Sequence, residues 1–340
     1  MYININDSLQ LASKLTLKRL INAFHVYTSF RKSRKTGTPH IKGLPISLSI
    51  EPTTACNLRC PECPSGLRSF TRPTGKLDQQ LFKTILDEIG DTLAYLIFYF
   101  QGEPYLHPQL LNMVKYATDK KIYTATSTNA HFLTDEIAKQ TVESGLDRMI
   151  ISIDGATQET YEAYRKTGEL NKVLEGTENI LKWKKALKSR TPFVVWQFLV
   201  VRPNEHEIPE IKKMGKAYGV DQVVFKTAQI YDYAQGNELI PTQDKYSRYA
   251  PLPDGTYRLK NKLLKECWKM WHSCVITWDG KVVPCCFDKD AHHVLGNTSH
   301  QPFKDIWHSD GYASFRKTLL TSRDEIEICK NCTEGGKVWA

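Results

Sequence analysis

Three cysteines fall within eight residues, Cys56-Asn-Leu-Arg-Cys60-Pro-Glu-Cys63, in the spacing Cys-x3-Cys-x2-Cys. Thiolates grouped this way are soft ligands that suit zinc or iron–sulfur centres. The group has no local fourth ligand. A structural zinc site closes with four ligands, usually as two paired knuckles. Three thiolates on a four-iron cluster instead leave one iron open to a ligand that is not protein. An open iron, a zinc knuckle and three unrelated thiols are all compatible with the spacing. The run just before, Ile46-Ser-Leu-Ser-Ile50, alternates apolar and polar residues and reads as a strand leading into a loop.

The loop resembles the cluster-binding loop of the radical S-adenosylmethionine (SAM) enzymes. One position differs: the family usually carries an aromatic residue just before the third cysteine, and here Glu62 stands there. The resemblance implies a [4Fe-4S] cluster on Cys56, Cys60 and Cys63, with SAM chelating the open iron through its amino and carboxylate groups. It also implies reductive cleavage of SAM, hydrogen abstraction by a 5′-deoxyadenosyl radical, and an electron donor such as flavodoxin or ferredoxin.

The elements that must position this loop form a βα alternation. Strands are expected at 46–51, 94–100, 122–127, 148–153, 193–201 and 220–227, all rich in Ile, Val, Phe and Tyr. Helices are expected near 78–90, 108–120, 134–144, 157–188 (broken at Gly168) and 207–218. Six βα units imply a parallel sheet with right-handed crossovers. The expected fold class is α/β, an open partial (β/α)6 TIM-like barrel with a small C-terminal α+β iron–sulfur domain. The expected division is an N-terminal basic arm at 1–43, the barrel at 44–230, a connector at 231–256 and an auxiliary-cluster domain at 257–340.

Working residues of parallel barrels collect at the carboxyl ends of strands. Gln101-Gly-Glu-Pro104 ends the second strand. It is similar to the family's Gly-Gly-Glu-Pro element, which implies that Gln101, Gly102, Glu103 and Pro104 meet the SAM amino group; an ordinary βα turn is the alternative. Ser127-Thr-Asn129 ends the third strand and resembles the family's Thr-Asn segment. Ser152-Ile-Asp-Gly155 ends the fourth, with Tyr161 and Arg165 on the next helix. The resemblance makes Asn129, Ser152, Asp154 and Arg165 cofactor-binding, with Arg165 on the SAM carboxylate. A guanidinium suits that task because its fork pairs with a carboxylate through two bonds. A surface salt bridge is the alternative for Arg165. Gln197 and Asn204 are further polar contacts on or after the fifth strand.

Six cysteines remain: Cys267, Cys274, Cys285, Cys286, Cys329 and Cys332. Val275-Ile-Thr-Trp-Asp-Gly-Lys-Val-Val283 is a hairpin signal, with Asp-Gly between two apolar runs. A helix is expected over 303–320. The pattern resembles the SPASM and shorter twitch extensions that carry auxiliary clusters in radical SAM enzymes. A full SPASM pattern uses seven cysteines for two clusters, and six are present. The resemblance therefore implies one auxiliary [4Fe-4S] cluster on Cys267, Cys285, Cys329 and Cys332, with Cys274 and Cys286 spare or able to substitute. Zinc on the same four thiolates stays open. A closed second cluster suits electron acceptance, and oxidation of a substrate also needs a base. Asp288, Glu103 and Tyr99 are the candidates, and Asp288 also reads as a solvated loop residue.

The 340 residues have an ordinary globular composition and no apolar run of membrane-spanning length. No secretory signal is visible, and nine cysteines, an odd number, point to reduced thiols in a cytoplasmic protein. The net charge is +9, yet residues 1–43 set eight basic side chains against Asp7, so +7 of it lies in the arm. Residues 8–30 are expected to form one helix capped by Ser8, with Leu11, Leu15, Leu17, Leu20, Ile21, Phe24 and Tyr27 at helical spacing, followed by Arg31-Lys-Ser-Arg-Lys35. The arm reads as an anchor on an anionic membrane or acidic partner, or as a packed helix with a solvated basic tail. Its basic residues lack interleaved aromatics on a nucleic-acid fold, so no nucleic acid is expected. The expected function is a radical SAM oxidoreductase or maturase acting on a peptide or small molecule. The alternative is a zinc-stabilised basic protein that binds nucleic acid or membrane.

Overall fold

The computed structural model describes residues 5–261 and 263–333. Residues 1–4 of the expected arm, and 262 and 334–340 of the expected C-terminal domain, lie outside the described residues.

Helices α1 (Ile5–Ser13) and α2 (Leu17–Thr36) precede strand β1 (Ser47–Ile50). A short α3 (Pro64–Leu67) follows the cysteine loop. The alternation then runs α4 (Gln79–Ile89), β2 (Tyr95–Ile97), α5 (Leu110–Asp119), β3 (Tyr123–Thr128), α6 (Asp135–Glu143), β4 (Arg148–Ser152), α7 (Gln158–Tyr164), α8 (Leu170–Ala186), β5 (Phe193–Val200), α9 (Ile208–Tyr218) and β6 (Gln222–Thr227). After it come β7 (Tyr249–Pro251), β8 (Tyr257–Leu259), α10 (Lys269–His272), β9 (Ser273–Ile276), β10 (Lys281–Val283), β11 (Gly296–Asn297), α11 (Phe303–Trp307), α12 (Asp310–Thr321) and α13 (Glu327–Lys330). The expected α/β class and its parallel βα pattern are what the chain forms. Helix starts follow their capping residues: Asp78 accepts from Leu81 N–H at 2.8 Å to open α4, and Thr134 accepts from Ile137 N–H to open α6.

The chain forms two compact units. One comprises residues 5–54, 71–125 and 263–333. At its centre, β1 pairs in parallel with β2, Leu48 opposite Leu96, and on its other side with β9, Leu48 opposite Cys274. β2 pairs in parallel with β3, and β9 and β10 form the Asp-Gly hairpin, with β11 antiparallel beyond it. The other unit comprises residues 55–70 and 126–261. There β4, β5 and β6 pair in parallel, with Ile151 opposite Trp196 and Phe198 opposite Phe225. β5 is buried along most of its length, which explains its near-continuous apolar sequence.

Four expectations change. The helix expected over 8–30 is two helices, because Thr16 breaks the run and caps α2 by accepting from Arg19 N–H. The helix expected over 303–320 also divides, and Ser309 caps its second part. β9 hydrogen-bonds to β1, so 263–333 belongs to the same compact unit as β1 and β2 rather than forming a fourth consecutive segment. Finally, 231–256 is more than a connector. Leu239, Ile240 and Tyr249 are buried in one apolar cluster with Leu58, Cys60 and Tyr164, and Tyr233 and Tyr257 pack against it. Irregular chain buries these side chains, so no period revealed them.

Candidate cluster and cofactor site

The cysteine loop is held by its own backbone. Cys63 N–H donates to Cys60 O at 3.3 Å, and Leu67 N–H to Cys63 O at 2.8 Å. Helix α3 lies so close that a side chain on Gly66 would meet Cys60 backbone atoms at 2.5 Å. Leu58 is buried between the first two cysteines and anchors the loop in the apolar cluster. Arg59 N–H donates to Lys166 O at 3.0 Å, which ties the loop to the end of α7. Cys60 is buried, while Cys56 and Cys63 are half-buried.

Arg165 is the electrostatic centre of this loop. Its Nη1 lies 3.8 Å from Cys60 Sγ, and its Nε donates to Asp154 Oδ2 at 2.5 Å. Asp154 is fully buried; its other oxygen accepts from Leu199 N–H at 2.6 Å, and its carbonyl accepts from Asn204 Nδ2 at 2.9 Å. Burial alone would lower the Arg165 pKa, but Asp154 and Cys60 more than offset it, so the guanidinium stays charged. Burial pushes the Cys60 thiol up, and Arg165 opposes that shift. Asn129 braces the loop from the end of β3: its Nδ2 donates to Asn57 Oδ1 at 2.8 Å. Ser152 is buried at the end of β4. Glu62, in the place of the family's aromatic residue, accepts from Tyr231 N–H at 2.9 Å. Asp154 and Asn204 thus position Arg165; the sequence suggested a cofactor contact for Asp154 and only a weak polar one for Asn204.

In the unit that contains β1, the Gln101-Gly-Glu-Pro104 turn has Gly102 at φ +76°, a left-handed conformation that favours glycine. Glu103 is buried and accepts from Tyr105 N–H at 3.2 Å, capping the 3-10 turn that Pro104 starts. Tyr99 contributes its carbonyl to Ser49 Oγ. At the end of β1, Glu51 is fully buried and paired with both terminal nitrogens of Arg72 at 2.6 and 2.8 Å, while Trp278 N–H donates to it at 3.2 Å. The sequence reading passed over this clasp, because Glu51 looks like an ordinary strand end.

The C-terminal thiols divide in the same unit. Cys285 interacts electrostatically with Cys286, Cys267 and Cys332, and Cys267 with Cys329, so the four expected thiols share one neighbourhood. Arg323 sits among them, with its Nη2 3.7 Å from Cys332 Sγ and its Nη1 on the carbonyls of Leu264 and Glu266. Burial would lower its pKa, but Cys267, Cys329 and Cys332 raise it above its ordinary value. Cys286 is exposed and 3.8 Å from Lys269 Nζ. Cys274 is buried against Tyr312 and Arg316, and burial pushes its thiol far up. Among the described residues, no group of three or more His, Cys, Asp or Glu side chains is gathered around a metal-ion position. Asp288 is neither a solvated residue nor an open base. It is buried, and its two oxygens accept from His292 and His293 N–H at 2.8 and 2.9 Å, which folds the loop after Cys286.

Two thiol sets, each against its own arginine, on a parallel βα chain define an α/β iron–sulfur enzyme. The family model for the radical SAM superfamily matches residues 50–221, and that for the iron–sulfur cluster-binding SPASM domain matches 267–333. The chain belongs to the radical SAM superfamily and carries a SPASM domain. It is 25% identical over 319 residues to the tungsten-containing aldehyde ferredoxin oxidoreductase cofactor-modifying protein of Pyrococcus furiosus, covering 84% of this chain and 86% of that one. It is 28% identical over 310 residues to mycofactocin maturase MftC of Mycobacterium tuberculosis, covering 85% and 75%. The crystal structure of BtrN in complex with AdoMet and 2-DOIA aligns over 88% of this chain and 96% of that one, with a TM-score of 0.53 and 21% identity. That likeness concerns the fold. Membership makes the chain an enzyme that uses SAM, a [4Fe-4S] cluster and auxiliary iron–sulfur chemistry, and it replaces the alternative of a zinc-stabilised binding protein. No helix among the described residues is long and apolar enough to cross a membrane.

Proposed function

We propose that this enzyme cleaves SAM reductively and removes a hydrogen atom from a peptide or small molecule, which is then dehydrogenated or otherwise matured with the help of one auxiliary [4Fe-4S] cluster. The observation that carries this reading is the pairing of each thiol set with its own cation, Cys60 with Arg165 and Cys332 with Arg323. When bound, the first cluster and SAM supply a 5′-deoxyadenosyl radical. The chain's own residues do the rest. Cys56, Cys60 and Cys63 would hold the iron, and Arg165 sets its positive charge beside Cys60 and would be the group for the SAM carboxylate. Gln101, Gly102, Glu103, Pro104, Asn129 and Ser152 complete the holding set, and Asp154 orients Arg165. Cys267, Cys285, Cys329 and Cys332 form a closed set with no open position. Two of the relatives support modification or maturation of a target as the outcome, since they are named a cofactor-modifying protein and a maturase. Both Asp288 oxygens are engaged by His292 and His293 N–H, which favours Glu103 or Tyr99 as the base.

The test is anaerobic reconstitution followed by iron counting and product analysis. About eight iron per chain are expected, from two four-iron clusters. Dithionite and SAM should yield 5′-deoxyadenosine and methionine. Cys329→Ala with Cys332→Ala should keep that cleavage and remove about half the iron. Loss of cleavage in this variant with the first cluster still loaded would contradict the division of labour.

A further inference from the structure

Helix α2 has the reverse of the usual amphipathic arrangement. Its inward side chains are Arg19, Asn22, Val26, Ser29, Phe30 and Ser33, most of them polar. The Arg19 guanidinium donates to the carbonyls of Gly90, Lys120 and Lys121, at the C-terminal ends of α4 and α5. Asn22 exchanges two hydrogen bonds with Leu44, at 2.8 and 2.9 Å. These polar bonds fix the rotation of the helix, and that rotation turns its apolar residues outward. Leu17, Leu20, Ile21 and Phe24, at spacings of three and four, are 74, 51, 47 and 64% exposed. The same stripe continues two to three turns later as exposed Arg31, Lys32 and Lys35. α1 buries no side chain and adds exposed Ile5 and Leu9.

A helix that only packs on a protein core places its apolar stripe inward. Here the core side is met by the hydrogen bonds of Arg19 and Asn22 together with Val26 and Phe30, and the stripe of Leu17, Leu20, Ile21 and Phe24 is left for another medium. Beside the basic end lies an open groove of about 600 Å³ lined by Arg31, Lys32, Arg34, Lys35 and Glu266. Arg34 is ion-paired with Glu266. Lys32 and Lys35 have no acidic partner among the described residues, so the groove presents uncompensated positive charge. We propose that α1 and α2 form a peripheral docking surface for a bilayer containing anionic phospholipid. Leu17, Leu20, Ile21 and Phe24 enter the acyl boundary, and Arg31, Lys32 and Lys35 meet headgroup phosphates. Charge complementarity selects this occupant. A second copy of the chain would bring its own basic arm against this one, whereas an anionic bilayer offers apolar depth and negative charge on one face.

The surface is independent of the radical chemistry, so its test leaves that reading untouched. The full-length reconstituted protein is floated with vesicles of phosphatidylcholine alone or mixed with phosphatidylglycerol. Flotation is expected with the mixed vesicles, at least tenfold more than with phosphatidylcholine, and reduced by salt. Lys32→Glu with Lys35→Glu should lower it at least tenfold, since each basic side chain lost at an anionic surface is worth roughly fivefold. Leu20→Ser with Phe24→Ser should lower it by a similar factor, while both variants keep the wild-type melting temperature and SAM cleavage. Wild-type protein that does not float, or either variant floating as well as wild type, overturns the proposal. So does a dimer in solution that the Leu20/Phe24 variant makes monomeric in the absence of any vesicle binding.

Discussion

Arg165 Nη1 lies 3.8 Å from Cys60 Sγ while Arg165 Nε is held on Asp154 at 2.5 Å. One guanidinium thus connects the buried acid that follows β4 to the middle cysteine of the loop. The acid is itself pinned by Leu199 N–H and Asn204 Nδ2, so the fork has little freedom to turn. Arg165→Lys keeps a positive charge but loses the fork. It should lower SAM cleavage by about tenfold or more, the size of a lost charge-assisted hydrogen bond, while iron loading falls little. Cleavage rate and iron content on the same preparation check this.

Arg323 should serve the C-terminal thiols in the same way. Arg323→Gln removes the cation beside Cys267, Cys329 and Cys332. The expected outcome is slower loading of the second cluster and a less positive reduction potential for it, with SAM cleavage unchanged. Iron counts after timed reconstitution, together with redox titration of the loaded protein, measure both effects.

The Glu51–Arg72 pair is buried, bidentate and shared with Trp278 N–H. Arg72→Met leaves a carboxylate in the interior with no cation. Breaking such a pair from one side costs about 3–5 kcal/mol. Urea unfolding should show that loss, and Glu51→Gln added to Arg72→Met should recover part of it, because no lone charge is then buried.

His272 gives a pH dependence. It packs on the Trp268 ring at 4.9 Å and contacts Ser47 Oγ at 3.3 Å, and burial, helped by Lys269, pushes its pKa down to about 4. The unfolded side chain titrates near its ordinary value of about 6.5. Between those values the unfolded chain binds more protons than the folded one, so stability rises with pH. The contribution is complete above about pH 6.5 and is lost as pH falls toward 4, up to about 3 kcal/mol. His272→Asn should flatten the stability profile in that window relative to wild type, as followed by urea unfolding at a series of pH values.

The βα pattern was legible because strand and helix periods alternate cleanly and because glycine and capping residues mark the boundaries. Thr134 opens α6, and Gly168 divides α7 from α8 where the chain's pattern breaks. The cysteine spacings were legible for the same local reason. Residues that act through long-range contacts were not. Arg323 lies in a charged run, Ser322-Arg-Asp-Glu325, that looks solvated in sequence, and only the fold sets it among the thiols. Tyr249 and Leu239 are buried from irregular chain and left no period. In α2 the apolar spacing was read correctly as helical, yet periodicity does not say which stripe faces inward. Arg19 and Asn22 decide that through hydrogen bonds to carbonyls distant in sequence.

The most direct test of the central claim replaces Cys56, Cys60 and Cys63 together with alanine and measures 5′-deoxyadenosine after anaerobic reconstitution, with dithionite and SAM. The expected result is a protein that keeps about four iron on its C-terminal thiols and forms no 5′-deoxyadenosine. Wild-type levels of 5′-deoxyadenosine from that variant would contradict the assignment of the open iron to this loop.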